Sequence, residues 1–146
     1  MIKYVNGDIF NSFAQTLVNP VNTKGIMGGG LALAFKEKYP KMFEQYKIDC
    51  ENKDIVVGKL HWYYNTSDDK IILNFPTKNH WKEKSKIEYI EKGLEYFIKY
   101  YKEIGIKSVA FPKLGCGLGG LDWDNLVKPL MEKFLSKIEI EVFIYI

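Results

Sequence analysis

The sequence predicts an α/β sandwich. Strand-like runs rich in β-branched and aromatic residues alternate with helix-forming runs, connections between them are short, and two glycine clusters each stand between a strand and a helix. Taking the elements in order, residues 2–5 (IKYV) and 16–21 (TLVNPV) read as strands, and Pro20 suits an edge strand or a strand end in the second. GGGLALAFKEKY opens with glycines and continues with good helix formers, which predicts a helix from near Leu31 to just before Pro40. A short helix over 41–49 follows, then KLHWYY and KIILNFP as adjacent strands separated by the turn residues Asp68 and Asp69. Ser85 and Glu88 have the spacing of a capping box, and Ile87, Ile90, Leu94, Phe97, Ile98 and Tyr101 recur at helical spacing up to Gly105. SVAFP and EVFIYI read as buried strands flanking a helix over 122–137, which Pro129 is expected to kink or shorten.

Length and composition bound the rest. The 146 residues, 47% hydrophobic and 27% charged, suit one globular domain over 1–146, and a domain of this size buries roughly 70% of its unfolded surface without staples. No apolar run approaches the ~20 residues needed to cross a bilayer, and the N-terminal MIKYVNGDIF has no signal-peptide core, so the expectation is a cytoplasmic protein without a membrane partner. Cys50 and Cys116 lie in unlike contexts without metal-ligand spacing, so neither a disulfide framework nor a structural metal is indicated. The 21 basic against 18 acidic residues permit an anionic partner without forming the footprint of a nucleic-acid-binding protein.

The glycine clusters, GIMGGGLALAF and LGCGLGGLDW, are the main functional clue. Glycine lets backbone amides approach a ligand closely, and a helix N-terminus presents unpaired N–H groups and partial positive charge, so two such loops could clamp a diphosphate. Tight turns alone are the competing use. Gly115, Gly117 and Gly120 satisfy G-x-G-x-x-G, but too late in the chain for a two-half dinucleotide-binding domain, and neither cluster ends in Gly-Lys-Ser/Thr, which disfavours ATP or GTP hydrolysis. Asp8, in NGDIF, could accept from an adenine amino group or stabilise a turn.

NGDIF, LVNPVNTKGIMGGGLALAFKEKYP and FPKLGCGLGGLDW, in that order, resemble the macrodomain family across nearly the whole chain. The resemblance implies a three-layer α/β/α sandwich with a mixed central sheet and an ADP-ribose cleft at its strand ends. It implies that Asp8, with Ile9 beside it, reads adenine. Gly28, Gly29, Gly30 and Leu31 would border the diphosphate and distal ribose, with Gly115, Cys116, Gly117, Leu118 and Gly119 covering the diphosphate from the other side. Asn22 is favoured for contact with the distal ribose and Asn19 is a further candidate; both amides suit hydroxyls, and turn formation is their competing use.

Within the family, NFPTKNHW is similar to the DarG-type DNA ADP-ribosyl glycohydrolases, which are related to the terminal ADP-ribose protein glycohydrolase. That likeness implies Lys78 as the catalytic residue, with Thr77 and His80 in the substrate site and no cofactor. The implied partners are ADP-ribose, ADP-ribosylated single-stranded DNA and a cognate ADP-ribosyltransferase toxin. Gly119 stands where the terminal glycohydrolase has its catalytic aspartate, as in the DarG type, which favours a DNA-base substrate over an acidic-residue ester. Gly29 stands where relatives commonly have lysine. As a neutral amine Lys78 could attack the anomeric carbon of the distal ribose; as an ammonium it could stabilise the leaving base. Trp81 could stack on an unpaired base, with Lys82, Lys84 and Lys86 meeting phosphates, or it could pack. Cys116, without a nearby histidine, reads as a small residue in a tight loop rather than a nucleophile. Binding of ADP-ribose without turnover, and hydrolysis of an O-acyl or 1″-phosphate derivative, are the alternative functions.

Overall fold

Alternation along the strands builds two cores on one sheet. A computed structural model describes residues 1–146. It contains β1 (Ile2–Val5), β2 (Thr16–Val21), α1 (Gly30–Lys38), α2 (Pro40–Glu51), β3 (His61–Asn65), β4 (Lys70–Pro76), α3 (Ile87–Ile104), β5 (Ser108–Phe111), α4 (Lys128–Leu135) and β6 (Glu141–Tyr145). Leu17 of β2, Ile72 of β4 and Ala110 of β5 share a core with Phe35, Met42 and Tyr46 of α1 and α2. Their sequence neighbours Val18, Leu73 and Val109 share the other core with Leu94, Phe97, Met131 and Leu135 of α3 and α4. A period of two sends successive side chains to opposite faces, so burying both faces requires helices on both sides. The three-layer sandwich follows.

The strand order is β1-β6-β5-β2-β4-β3. Only β3 runs antiparallel to its neighbour, so the sheet is mixed. No helix is long and apolar enough to cross a membrane.

One local expectation, the cap of α3, is corrected, and Pro20 and Pro129 each take one of the two effects expected of them. Of the two places expected for Pro20, the strand end is the one found: β2 is a central strand, pairing with β4 over Thr16–Val21 but with β5 only at Thr16 and Leu17. Pro20 is tolerated because the backbone groups of successive residues point to opposite sides; the Val21 carbonyl accepts from Thr77 N–H on the β4 side, so the donor that Pro20 lacks faces where β5 no longer pairs. Ser85 does not cap α3, whose N-cap is Lys86 with no side-chain hydrogen bond. The Ser85 hydroxyl is buried without a hydrogen-bond partner, and its N–H donates to Gly119 O at 3.0 Å. Pro129 has the shortening effect expected of it: helical residues run without a break from Trp123 to Leu135, but only α4 is regular, and the turn before it, Trp123–Val127, is a π-helix capped by Asp122, which accepts from Asn125 N–H.

Candidate functional site

Five parallel strands end at one edge of the sheet, and every chemically informative segment of the sequence leaves from that edge. Val5 of β1 is level with Tyr145 of β6, Ile144 with Phe111 of β5, and Val21 of β2 with Pro76 of β4. β2 and β5 are neighbours whose chains depart to opposite faces, β2 toward α1 and β5 toward α4, which is where an open α/β sheet leaves a crevice. A cleft of about 830 Å³ opens there. That volume lies within the range of small-molecule sites. A smaller recess of about 290 Å³ lies at the opposite strand ends, between Tyr101 and Ile140, away from both glycine loops.

The first loop, residues 22–29, is held from beneath. Tyr46 of α2, fully buried, donates its hydroxyl to Asn22 O at 2.8 Å and lies 2.9 Å from Asn22 Oδ1. Burial raises the Tyr46 pKa, so it stays a donor. Asn22 Oδ1 also accepts from Lys24 N–H, and Nδ2 donates to Ile26 O at 2.7 Å. Asn22 therefore both lines the cleft and ties the loop closed. Gly29 caps α1 in an extended conformation, and Leu33 is the first residue of that helix to close a backbone hydrogen bond, to Gly29 O. The amides of Gly30, Leu31 and Ala32, all of which line the cleft, are left available to an anion.

The second loop is folded on itself and against Ser85. Cys116 N–H donates to Lys113 O, Gly120 N–H to Gly117 O and Leu121 N–H to Gly115 O, leaving the amides of Gly117, Leu118 and Gly119 free at the cleft. Gly119 has no room for a side chain: a Cβ there would stand 2.2 Å from Ser85 Oγ and 2.6 Å from Gly115 O. A carboxylate at this position is sterically excluded unless the loop moves. Leu118 reaches across to the first loop, its Cδ1 lying 3.1 Å from where a Cβ on Gly29 would be, and is 69% exposed.

The third segment follows β4. Thr77 is buried and its N–H extends the β2–β4 ladder to Val21 O, which fixes the half-buried Lys78 at the cleft wall. Thr23 donates both its N–H (3.0 Å) and its hydroxyl (2.8 Å) to Asn79 O, binding the first loop to the residue after Lys78. His80 Nδ1 accepts from Lys82 N–H, and Glu83 N–H donates to His80 O, so residues 80–83 form a turn with Trp81 at the cleft.

The structure thus brings together Lys78, Thr77, Asn22, Leu31 and most of both glycine clusters. It does not bring Asn19 to the cleft: Asn19 is fully buried and donates to Asn74 Oδ1 at 3.1 Å, a polar pair within the core. Ile9 is buried against the Phe35 core. Asp8 is exposed at the β1 end of the same edge, with Oδ1 accepting from Phe10 N–H. His80 stacks on Trp81 outside the cleft lining. Cys116 turns away, its Sγ 3.4 Å from Leu114 O, and burial pushes its thiol pKa up to about 11, against any nucleophilic role at neutral pH. Ile26, Lys113 and Tyr145 line the cleft without having been singled out from sequence; Lys113 and Tyr145 sit at strand ends, the signal that could have found them. No three His, Cys, Asp or Glu side chains cluster as metal ligands.

The Macro domain family model matches residues 18–129. The DNA ADP-ribosyl glycohydrolase of Mycobacterium tuberculosis (strain ATCC 25618 / H37Rv) is 42% identical over 147 residues, covering 99% of this chain and 42% of that protein. The macrodomain of Thermus aquaticus DarG superposes with a TM-score of 0.94 at 37% identity, covering 100% of this chain and 98% of that one. Thermosipho africanus DarTG in complex with ADP-ribose gives a TM-score of 0.93 at 44% identity, covering 99% of this chain and 41% of that one. The chain spans about 42% of the length of curated relatives it matches.

Proposed function

The chain belongs to the macrodomain family, and we infer that its activity is that of an ADP-ribosyl glycohydrolase releasing ADP-ribose from modified thymine bases in DNA. The observation that carries this reading is the position of Lys78, held by the β2–β4 ladder on the wall of a cleft whose other borders are two glycine loops with free amides. Those amides suit a diphosphate, which orients the distal ribose toward the third segment. The relatives named as DNA ADP-ribosyl glycohydrolases support the substrate class. The lack of room at Gly119 supports it further, because a loop carboxylate is then not available for ester hydrolysis.

The reaction breaks the bond between the anomeric carbon of the distal ribose and the base. Water supplies a hydroxyl to the carbon and a proton to the base. Lys78 acts at that carbon, either by adding its amine before water displaces it or by stabilising charge on the departing base.

The test is incubation of the protein, and of Lys78→Ala, with a single-stranded oligonucleotide ADP-ribosylated on thymine, following both products by mass spectrometry and ADP-ribose binding by calorimetry. Wild type is expected to restore the oligonucleotide. Lys78→Ala is expected to bind ADP-ribose yet turn over at least about 100-fold more slowly, the lower range for loss of a group acting at the reacting atoms. Lys78→Arg separates the two roles, since guanidinium retains charge but not nucleophilicity. Binding by wild type without release would replace the reading with that of a module that holds ADP-ribose.

A further inference from the structure

The sequence from Lys78 to Lys86 carries four lysines and one glutamate, whereas the whole chain has 21 basic against 18 acidic residues. Positive charge is therefore concentrated beside the cleft rather than spread over the surface. At the centre of this segment Trp81 lines the cleft while remaining 43% exposed. An indole whose function was packing would be expected to bury more of its surface. Instead it is propped: the His80 ring stacks against it at 5.2 Å, and the turn that fixes His80 fixes the indole with it. The Lys82 ammonium stands 4.8 Å over the indole ring. Lys84 lies along the second glycine loop, with its Nζ 3.2 Å from where a Cβ on Gly120 would be, and Lys86 is exposed just before α3. Glu83 is exposed between Lys82 and Lys84 and opposes part of their field.

We propose that Trp81, with Lys82, Lys84 and Lys86, is a subsite for the single strand of DNA flanking the modified base, one neighbouring base stacking on the indole while the lysines meet phosphates. The proposal rests on the glycohydrolase reading and deepens it. A base joined to the distal ribose leaves the cleft beside Lys78, and the strand that carries it must cross the rim where Trp81 stands three residues further on. An aromatic platform interleaved with lysines is the arrangement that holds unpaired bases without reading their sequence.

The experiment uses the Lys78→Ala protein, so that substrate is not consumed, and compares its affinity for ADP-ribose with its affinity for a thymine-ADP-ribosylated single strand of about ten nucleotides, within the footprint of single-strand sites. The strand is expected to bind more tightly than ADP-ribose alone. Adding Trp81→Ala is expected to shrink that advantage by between about 5-fold and about 160-fold, the range that one base–aromatic stack spans. Trp81→Tyr is expected to retain most of it. Replacing Lys82, Lys84 and Lys86 with Gln is expected to flatten the salt dependence of strand binding by up to about two units of slope, at ~0.7 per phosphate contact. Equal losses for ADP-ribose and strand in Trp81→Ala would mean a packing role and overturn the proposal, as would a strand that binds no more tightly than ADP-ribose at the outset. Tight, Trp81-dependent strand binding by a wild-type protein that releases nothing would instead leave the subsite standing and remove the hydrolase reading.

Discussion

The two glycine loops face one another across the cleft, yet they are kept in shape by different means. The first is anchored by side chains: Tyr46 and Asn22 hold it from the core, and Thr23 ties it to Asn79. Gly25 and Gly30 are kept as glycine by their positive φ, but at Gly28 and Gly29 the backbone is unrestricted and a Cβ would meet only the Ile26 or Leu118 side chain, both exposed. The second is held mainly by its own backbone and by Ser85, and at Gly119 it is packed to the limit. One loop is rigid because of what lies under it, and the other because at Gly115 and Gly119 nothing larger than glycine fits. Both leave a row of amides toward the cleft, so the difference concerns which substitutions each can absorb.

The largest effect expected from this contrast is at Gly119. Gly119→Ala places a Cβ against Ser85 Oγ and against the Gly115 carbonyl, which is backbone and cannot rotate away. Overpacking of this kind costs about 1–3 kcal/mol, and the loop must shift to relieve it. The expected result is a lower Tm together with loss of ADP-ribose affinity in calorimetry, since the shift moves the amides of Leu118 and Gly119. Combining it with Ser85→Gly removes the hydroxyl and Cβ contacts but not the carbonyl, so recovery of both quantities is expected to be partial. Full tolerance of Gly119→Ala alone would show that the second loop is as adaptable as the first.

A smaller loss is expected from Tyr46→Phe, which tests the anchor of the first loop. The substitution keeps the ring in the core and deletes only the hydroxyl, leaving the Asn22 carbonyl without its donor. An orphaned buried acceptor costs about 1–3 kcal/mol, or roughly 2–10 °C in Tm for a domain of this length. If the anchor positions the cleft, affinity for ADP-ribose falls several-fold as well. A fall in Tm with unchanged affinity would confine Tyr46 to stability and leave Lys24 N–H and Ile26 O as the sufficient constraints on Asn22.

These two tests separate what the sequence disclosed from what it concealed. Periodicity placed α3, and runs of β-branched, aromatic or helix-forming residues placed the strands and the other α-helices, because burial on a strand or on one stripe of a helix is written directly in residue type. The glycine clusters and Lys78 were legible because their order along the chain carries a family resemblance. Asn19 misled because the polar residue of a half-polar strand end looks available for binding, and only the register with β4 shows that it meets Asn74 in the core. Ser85 misled for the complementary reason. Its spacing to Glu88 is that of a cap, but a partner 34 residues away, Gly119, takes its N–H and the space around it. Tyr46 was one aromatic among many, and its hold on Asn22 arises only when α2 packs beneath the first loop.

The smallest effect, and the one that sharpens the contrast most, is expected at Gly29. Its backbone is extended, with φ of −159°, a conformation open to any residue, and the Leu118 side chain in its way is exposed and able to rotate. Gly29→Lys should therefore leave Tm nearly unchanged, within about 0.5 kcal/mol of stability, as for surface positions without special geometry. It also places an ammonium near the N-terminal amides of α1, where an anionic ligand is expected. A gain in ADP-ribose affinity of a few-fold at low salt, shrinking as ionic strength rises and screening shortens, would identify the gain as electrostatic. If affinity falls instead while Tm holds, the lysine has displaced Leu118 from the position it takes over both loops, and Leu118 would then be the bridge that makes two differently supported loops act as one clamp.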